Sequence, residues 1–181
     1  DWSVSWERQP YLTQTNFRWY ANISALTPTD PWPSGGTDLL ENDPVTSADA
    51  PIYGNTLRLR ANILTENVSL SASSLSLTLQ YAEGSVCSAG MDWHDVGEIG
   101  SSTALWRGDD VSGVSDGATL SSTLLLTSDV AATLEEENDS SQNPNSASAN
   151  QEVEWDWVLQ HRAAAGTSYC FRAVTDAGLA L

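Results

Sequence analysis

The feature that most constrains this chain is an alternation of apolar and polar residues that recurs along its length. Residues two apart lie on the same face of a β-strand, so each alternating segment predicts a strand with one buried and one wet face. Residues 152–161 show it most clearly, because Trp155 and Trp157 alternate with acidic residues, and both tryptophans are predicted to be core. The other alternating segments are DWSVSWE, TNFRWYAN, TLRLRANIL and SLSASSLSLTLQYA.

Shorter strand candidates, MDWHDVG, ATLSSTLLLT and TSYCFRAVTD, are separated by turn-rich stretches. We therefore expect about eight or nine strands in an all-β, antiparallel β-sandwich, either Ig-like or jelly-roll. Residues 11–181 are long enough for one such domain, and residues 1–10 form an N-terminal extension. The segment SDVAATLEEEND is the one helix candidate, with Ser128 or Asp129 as its cap, and residues 135–151 are expected to form a mobile surface loop.

Charge limits the classes of partner. The chain has 24 acidic residues, seven arginines and no lysine, for a net charge of −17. Nucleic acid and anionic membrane surfaces require basic patches, so neither is an expected partner. No apolar run is long enough for a membrane helix, so no membrane insertion is expected. The lack of lysine also excludes intramolecular Lys–Asn isopeptide bonds and polymerisation through a pilin lysine.

The two cysteines, Cys87 and Cys170, have no neighbouring Cys or His at the spacing of a metal site. The chain starts at Asp rather than Met, so a removed leader and an extracellular, cell-surface location are expected. Export favours one disulfide closing a long loop, and two buried free thiols are the alternative.

Catalytic motifs are missing from the sequence, and we do not expect an enzyme. His94 and His161 are isolated from each other and from cysteine in the sequence. The simpler interpretation is that both are surface histidines without a catalytic role. Facing carboxylates would suit a glycosidase. In so acidic a chain, however, Glu152, Glu154 and Asp156 are more simply a solvated strand face, paired with Arg58 or Arg60 on a neighbouring strand.

One loop is a candidate for structural calcium, the only cofactor that the sequence suggests. GDDVSGVSDG places Asp109, Asp110 and Asp116 in a glycine-rich stretch, and calcium prefers clustered carboxylate and carbonyl oxygens. The EF-hand spacing is not matched, and an ordinary acidic turn is the alternative.

Glycans are a second class of candidate partner. Asn22, Asn67 and Asn138 stand in glycosylation sequons, and Asn138 lies in the loop expected to be the most accessible. Exposed tryptophans form sugar-stacking platforms in carbohydrate-binding modules. Trp32, in the loop DPWPSGG, is the candidate for such a contact with a glycan or another subunit.

Several short motifs occur in order: RWYAN, TLRLRANI, LTLQYAEGSVCS, DWHDVG, LWRG, EWDWVLQ and YCFRAV. Together they resemble a poorly characterised family of secreted microbial surface-protein domains. The resemblance implies an extracellular β-sandwich with Cys87 bridged to Cys170 and no enzymatic activity.

The opening decapeptide, DWSVSWERQP, precedes these motifs and places Trp2, Val4 and Trp6 on one strand face. Its pattern and position resemble the donor strands of chaperone–usher pilins and of TasA-like biofilm and archaeal fibres. That resemblance implies donor-strand exchange, in which a strand from one subunit completes the sheet of the next.

The leading hypothesis is therefore a structural subunit of an extracellular, pilus-like filament, a non-covalent head-to-tail homopolymer. A strand that folds back onto its own domain is the alternative fate for residues 1–10. The alternative function is a cell-surface adhesin or carbohydrate-binding β-sandwich module.

Overall fold

The computed structural model describes residues 11–138, 141–164 and 166–181. These residues form eight strands and no helix, which confirms the all-β prediction. The strands are β1 (Tyr11–Ala21), β2 (Thr56–Glu66), β3 (Leu77–Glu83), β4 (His94–Asp95), β5 (Trp106–Gly108), β6 (Val130–Glu135), β7 (Glu152–His161) and β8 (Tyr169–Thr175).

The strands form two sheets that pack as a sandwich. The first sheet has five strands in the order β1-β2-β7-β5, with β6 also paired to β7. The second sheet has three strands in the order β4-β3-β8. All pairs are antiparallel except β6 with β7, which run parallel. The centre of the first sheet is β7, because β2 covers one of its edges and β6 and β5 share the other.

Strand β6 replaces the predicted helix, so that prediction is wrong. Val130 and Ala131 pair with Val153 and Glu154 of β7, and the pairing resumes at Leu134 after an irregularity. Helix propensity is a weak preference that tertiary pairing overrides. Here an open edge of the central strand supplies the backbone partners that the isolated segment lacks.

The main core lies between the two sheets and consists of the alternate residues that the sequence pattern predicts. Trp155 and Trp157 are 0% and 1% exposed, which confirms both as core. From the second sheet, Leu77, Leu79 and Tyr81 of β3 enter the same cluster. Burial of such side chains contributes about 1.5–3 kcal/mol each, so the alternation accounts for much of the driving force.

The opposite face of the first sheet is buried, so the prediction of a solvated acidic face is wrong. Glu154, Asp156, Arg58 and Arg60 are all 0% exposed. The predicted pairing with Arg58 and Arg60 is confirmed, because both arginines contact Asp156 and Arg60 also contacts Glu154 at 2.6 Å. We call these four residues the buried ion network.

Loop segments cover this network and satisfy its remaining hydrogen bonds. Arg58 donates to the carbonyl oxygens of Ala25 and Leu26, and Arg60 donates to that of Ser122 at 2.9 Å. Glu154 accepts from the backbone N–H groups of Leu124 and Leu125. A small second core, comprising Val111, Leu120, Leu134 and Val158, lies under the same covering layer.

Burial by itself lowers the pKa of Arg60, but attraction to Asp156 and Glu154 outweighs it and the pKa is raised. Arg60 therefore keeps its charge inside the protein. The network is electrically compensated, which a buried charge requires.

The described part of residues 135–151 packs against the domain, contrary to the expected mobile loop. Asn143 is 0% exposed, and its side chain accepts the N–H groups of Ser74 and Leu75. Ala147 is also buried and forms a bridge with Leu70. The prediction of a mobile loop assumed that the polar side chains of this segment bond to water. In the structure, they bond to backbone groups instead.

Cys87 and Cys170 form a disulfide, with Cα atoms 5.5 Å apart. The bridge confirms the favoured sequence prediction and links β8 to the loop that follows β3. A disulfide-bonded pair is compatible with an extracellular protein.

Candidate functional site

The predicted donor-strand residues, Trp2, Val4 and Trp6, lie outside the described residues. The structure does describe β1, into which that segment leads, and the nearby edge of the second sheet. Strand β8 ends the order β4-β3-β8, so one of its backbone edges faces away from β3.

Part of this outer edge of β8 is already satisfied. The N–H of Ala173 donates to the Gln14 side-chain oxygen of β1 at 3.0 Å, and its carbonyl accepts from Leu181 at 3.2 Å. The N–H of Thr175 donates to the Leu179 carbonyl at 2.9 Å. A side chain and the C-terminal turn thus take the positions that a neighbouring strand would occupy.

The next position along β8 is different. Backbone groups of residues two apart point to the same side of a strand, so the N–H and C=O of Phe171 point outward like those of Ala173. Within the described residues, these two groups of Phe171 have no backbone or side-chain partner. An unpaired strand edge of this kind is a template for another strand.

Half-buried aromatic rings lie at the unpaired position of β8 and on β1, whose Gln14 bonds to the same edge of β8. Phe171 and Tyr169 lie opposite Tyr81 and Glu83 of β3, on the inward side of β8, yet both are half-buried. Phe17, on the inward side of β1 between Gln14 and Trp19, is half-buried as well. We call the outward backbone of Phe171 together with the rings of Phe17, Tyr169 and Phe171 the open edge.

The rings of the open edge are held in place by the core. The Phe171 ring lies 5.5 Å from that of Trp19 and 5.1 Å from that of Trp106, in edge-to-face contacts. Tyr169 contacts the same Trp106 ring at 5.9 Å. Edge-to-face pairs of this kind are favourable and directional, so the open edge has a defined shape before anything binds to it.

Two of the three predicted calcium ligands have carboxylates engaged in separate hydrogen bonds. The Asp109 carboxylate accepts from Thr56 and Gln160, whereas the Asp116 carboxylate accepts the N–H of Glu136. Asp110 is exposed, and its carbonyl accepts from Asn22 at 3.2 Å. Within residues 11–138, 141–164 and 166–181, no group of three or more His, Cys, Asp or Glu side chains is placed to hold a metal. Calcium binding in this loop stays a prediction.

The acidic loop nevertheless has a buried carboxyl at its base. Glu136 is 3% exposed, and its side chain accepts the N–H of Val111 at 2.5 Å. Burial raises the pKa of Glu136; the Val111 hydrogen bond opposes this change, and the charges of Asp110 and Asp116 add to it.

We expect Glu136→Gln to stabilise the protein at neutral pH. The raised pKa means that the folded state binds the proton more tightly than the unfolded state, so ionisation of Glu136 costs stability as pH rises. Glutamine keeps the acceptor oxygen for Val111 without the charge. Urea unfolding at several pH values is expected to show an advantage at pH 7 that shrinks as pH falls and the native Glu136 becomes protonated, because its pKa is raised. An advantage that is constant with pH would contradict this explanation.

The three sequons differ in accessibility. Asn67 is exposed, in a turn with φ of 62°. The Asn138 amide nitrogen instead donates to the carbonyls of Leu79 and Val96, so the expectation that it is the most accessible is not met. Asn22 is half-buried, and its amide nitrogen donates to Asp110. Asn67 is thus the sequon best placed for a glycan, and glycosylation stays a prediction for all three.

Two further expectations about aromatic residues need correction. Trp32 is half-buried, packs against the main core and donates its indole N–H to the Asp49 carbonyl at 2.7 Å. It is therefore a poor candidate for an exposed glycan contact. His94 is exposed as expected, but His161 is buried beside Trp106, and burial lowers its pKa.

The sequence missed Gln14 and Phe171 as site residues. Phe171 belongs to a recognised strand candidate, but nothing in TSYCFRAVTD indicates that this strand ends a sheet. Gln14 reads as an ordinary polar residue, and its role depends on the approach of β1 to β8. The partial exposure of Phe171, an aromatic residue on the inward side of its strand, can be seen only in the folded chain.

None of the described segments is a helix that is long and apolar enough to cross a membrane. Comparison with known proteins finds no matching family model, no matching curated protein and no matching solved structure.

Proposed function

We propose that this protein is a structural subunit of an extracellular filament, in which residues 1–10 of one copy add as a strand to the open edge of the next copy. The observation that supports the proposal is the outward backbone of Phe171, which has no partner in residues 11–138, 141–164 and 166–181 and lies beside half-buried aromatic rings. The disulfide is compatible with the extracellular location.

The N-terminal segment and the open edge have complementary chemistry. An added strand supplies N–H and C=O groups to the unpaired edge, and its alternate side chains pack on the half-buried aromatic rings beside it. Trp2, Val4 and Trp6 recur with this period of two. Each such side chain contributes about 1.5–3 kcal/mol on burial, before the cost of ordering the segment.

Charge sets the conditions of assembly. With a net charge of −17 per subunit, neighbouring copies repel one another. The decapeptide itself carries Asp1, Glu7 and Arg8, so it brings little of that charge to the contact. Filaments should therefore form more readily as salt screens the remaining repulsion.

The contact joins two different surfaces, the N-terminal segment and the open edge. A heterologous contact of this kind need not close into a ring, so it generates filaments. Residues 1–10 could instead fold back onto their own domain through the same chemistry, which would give a monomer. Varying the protein concentration distinguishes the two arrangements, because only assembly between copies depends on concentration.

We expect the double variant Trp2→Ser/Trp6→Ser to remain folded and monomeric under conditions in which the native protein forms fibres. The matched control is Ser3→Ala/Ser5→Ala, which changes the opposite face of the same segment and should still assemble. Negative-stain microscopy and sedimentation at several salt concentrations measure the outcome. Fibres from the tryptophan variant, or a native protein that stays monomeric at high concentration and salt, would overturn the proposal.

A synthetic peptide of residues 1–10 tests the acceptor surface independently. It should occupy the open edge and shorten or prevent fibres, whereas the same peptide with both tryptophans replaced by serine should have no effect. Equal inhibition by the two peptides would show that the contact does not depend on the tryptophan face of the segment.

A further inference from the structure

A concave surface lies on the outer face of the smaller sheet, and the proposed filament contact does not involve it. The cavity has a volume of about 470 Å³ and lies between β3, β4 and the segment before β5. Its lining is mainly polar and includes Gln80, Trp93, His94, Asp95, Ser101 and Thr103. We call it the Trp93 cleft.

Trp93 is fixed in the cleft by two contacts, and a disulfide ties its loop to β8. The guanidinium of Arg172 on β8 lies 4.2 Å from the centroid of the Trp93 ring. The indole N–H donates to the Ser88 carbonyl at 3.3 Å. Ser88 follows Cys87, whose disulfide partner, Cys170, stands two residues before Arg172. The disulfide thus attaches the loop that carries Trp93 to β8, the strand that carries Arg172.

A chain of hydrogen bonds orders the polar side of the cleft. Arg172 donates to the Gln80 side-chain oxygen at 2.9 and 2.7 Å, and Gln80 donates to one carboxylate oxygen of Asp95 at 2.8 Å. The other oxygen of Asp95 has no hydrogen bond within the described residues. An aromatic ring therefore stands beside a positioned acceptor, and neither has to be ordered when a ligand binds.

The charges around the ring disfavour two classes of ligand. Asp92 and Asp95, both exposed beside Trp93, disfavour an anion. A cation over Trp93 would approach a ring that Arg172 already engages, with like charges on one aromatic system. A neutral ligand meets neither penalty.

We infer that the Trp93 cleft binds a neutral saccharide. Sugar rings present an apolar C–H face that packs on an indole, and their hydroxyl groups donate to carboxylates and amides. The cleft supplies both partners in one concave surface, which is the arrangement expected of a small-molecule site. This inference does not depend on filament formation, because the cleft belongs to a single copy of the chain.

Binding is tested with residues 1–181 carrying Trp2→Ser/Trp6→Ser, so that assembly does not complicate the titration. The probes are methyl glycosides of glucose, galactose and mannose and an array of neutral oligosaccharides, measured by saturation-transfer NMR and calorimetry. We expect at least one neutral saccharide to bind, and Trp93→Ala to weaken it about tenfold or more.

The matched control is Tyr53→Ala. The Tyr53 ring is exposed and is also contacted by an arginine, with the Arg162 guanidinium 4.6 Å from its centroid, but it lies outside the cleft. Tyr53→Ala should leave the saccharide affinity within about twofold of the unsubstituted value. Thermal unfolding checks that the Trp93→Ala and Tyr53→Ala variants are folded. Choline chloride and sulfated saccharides are the charged probes.

The inference is overturned if no neutral saccharide binds at millimolar concentration, if Trp93→Ala leaves the affinity unchanged, or if a charged probe binds more tightly. None of these results bears on fibre formation, so the two proposals fail separately.

Discussion

Asp156→Ala should lower the free energy of unfolding by about 3–5 kcal/mol, because it leaves buried cations without their shared partner. Asp156 contacts both Arg58 and Arg60, and all three are 0% exposed. After the substitution, Arg60 keeps Glu154 as its acidic partner, whereas Arg58 loses the acid it contacts. Neither arginine can reach water without displacing the loops that supply its carbonyl partners.

Urea unfolding at pH 7, followed by circular dichroism, measures the loss. The matched control is Asp92→Ala, which removes an acid with a side chain 93% exposed and should change stability by no more than about 0.5 kcal/mol. A loss below about 1 kcal/mol for Asp156→Ala would mean that the covering loops open to solvent more readily than their hydrogen bonds imply.

Loss of the disulfide should also have a large effect. In the chain-entropy model, a bridge between residues 83 apart stabilises the fold by about 4 kcal/mol, by restricting the unfolded chain. We therefore expect the double variant Cys87→Ala/Cys170→Ala to unfold at a much lower denaturant concentration than the native protein.

Reduction provides an independent comparison for this prediction. Cys87 is exposed, so a reductant should reach the bridge in the folded protein. Native protein treated with dithiothreitol should then unfold close to the double variant, whereas the variant itself should not respond. If reduced and oxidised native protein unfold at the same denaturant concentration, the bridge does not contribute as expected.

The two proposed binding surfaces are compatible with one another. Phe171 belongs to the open edge and points inward, whereas its neighbour Arg172 points outward and supports the Trp93 cleft. A strand added beside β8 would therefore leave the cleft uncovered. A filament of this kind would display one saccharide site per subunit, and multivalent display strengthens weak binding without any new contact.

The strands that were predicted best are those whose alternation reflects a large difference in burial. Trp155, Trp157 and the leucines of β2 alternate with charged residues, and any sandwich would bury the apolar set first. The same reasoning failed for the charged set, because it assumed that the second face of a sheet meets water. Here the loops between strands cover that face, and a sequence pattern does not report where a loop packs.

The error at β6 has a related cause. Residues 128–139 satisfy a helix pattern locally, and only the unpaired edge of β7 makes a strand the better solution. The open edge was equally hidden. Its acceptor groups belong to backbone, which every residue carries, so no residue type marks them.

What the sequence by itself determined is the class of the fold and the apolar face of each long strand, whereas it only favoured a Cys87–Cys170 disulfide over two free thiols, and the structure decided between them. The fold class and the apolar faces follow from periodicity, which is a property of residue type and spacing. The tertiary structure alone decided which strand ends a sheet, which charges are buried and which tryptophan lines a cleft. The physical reason is that burial and backbone pairing arise between segments distant in sequence, such as Gln14 with Ala173 or Arg60 with Asp156.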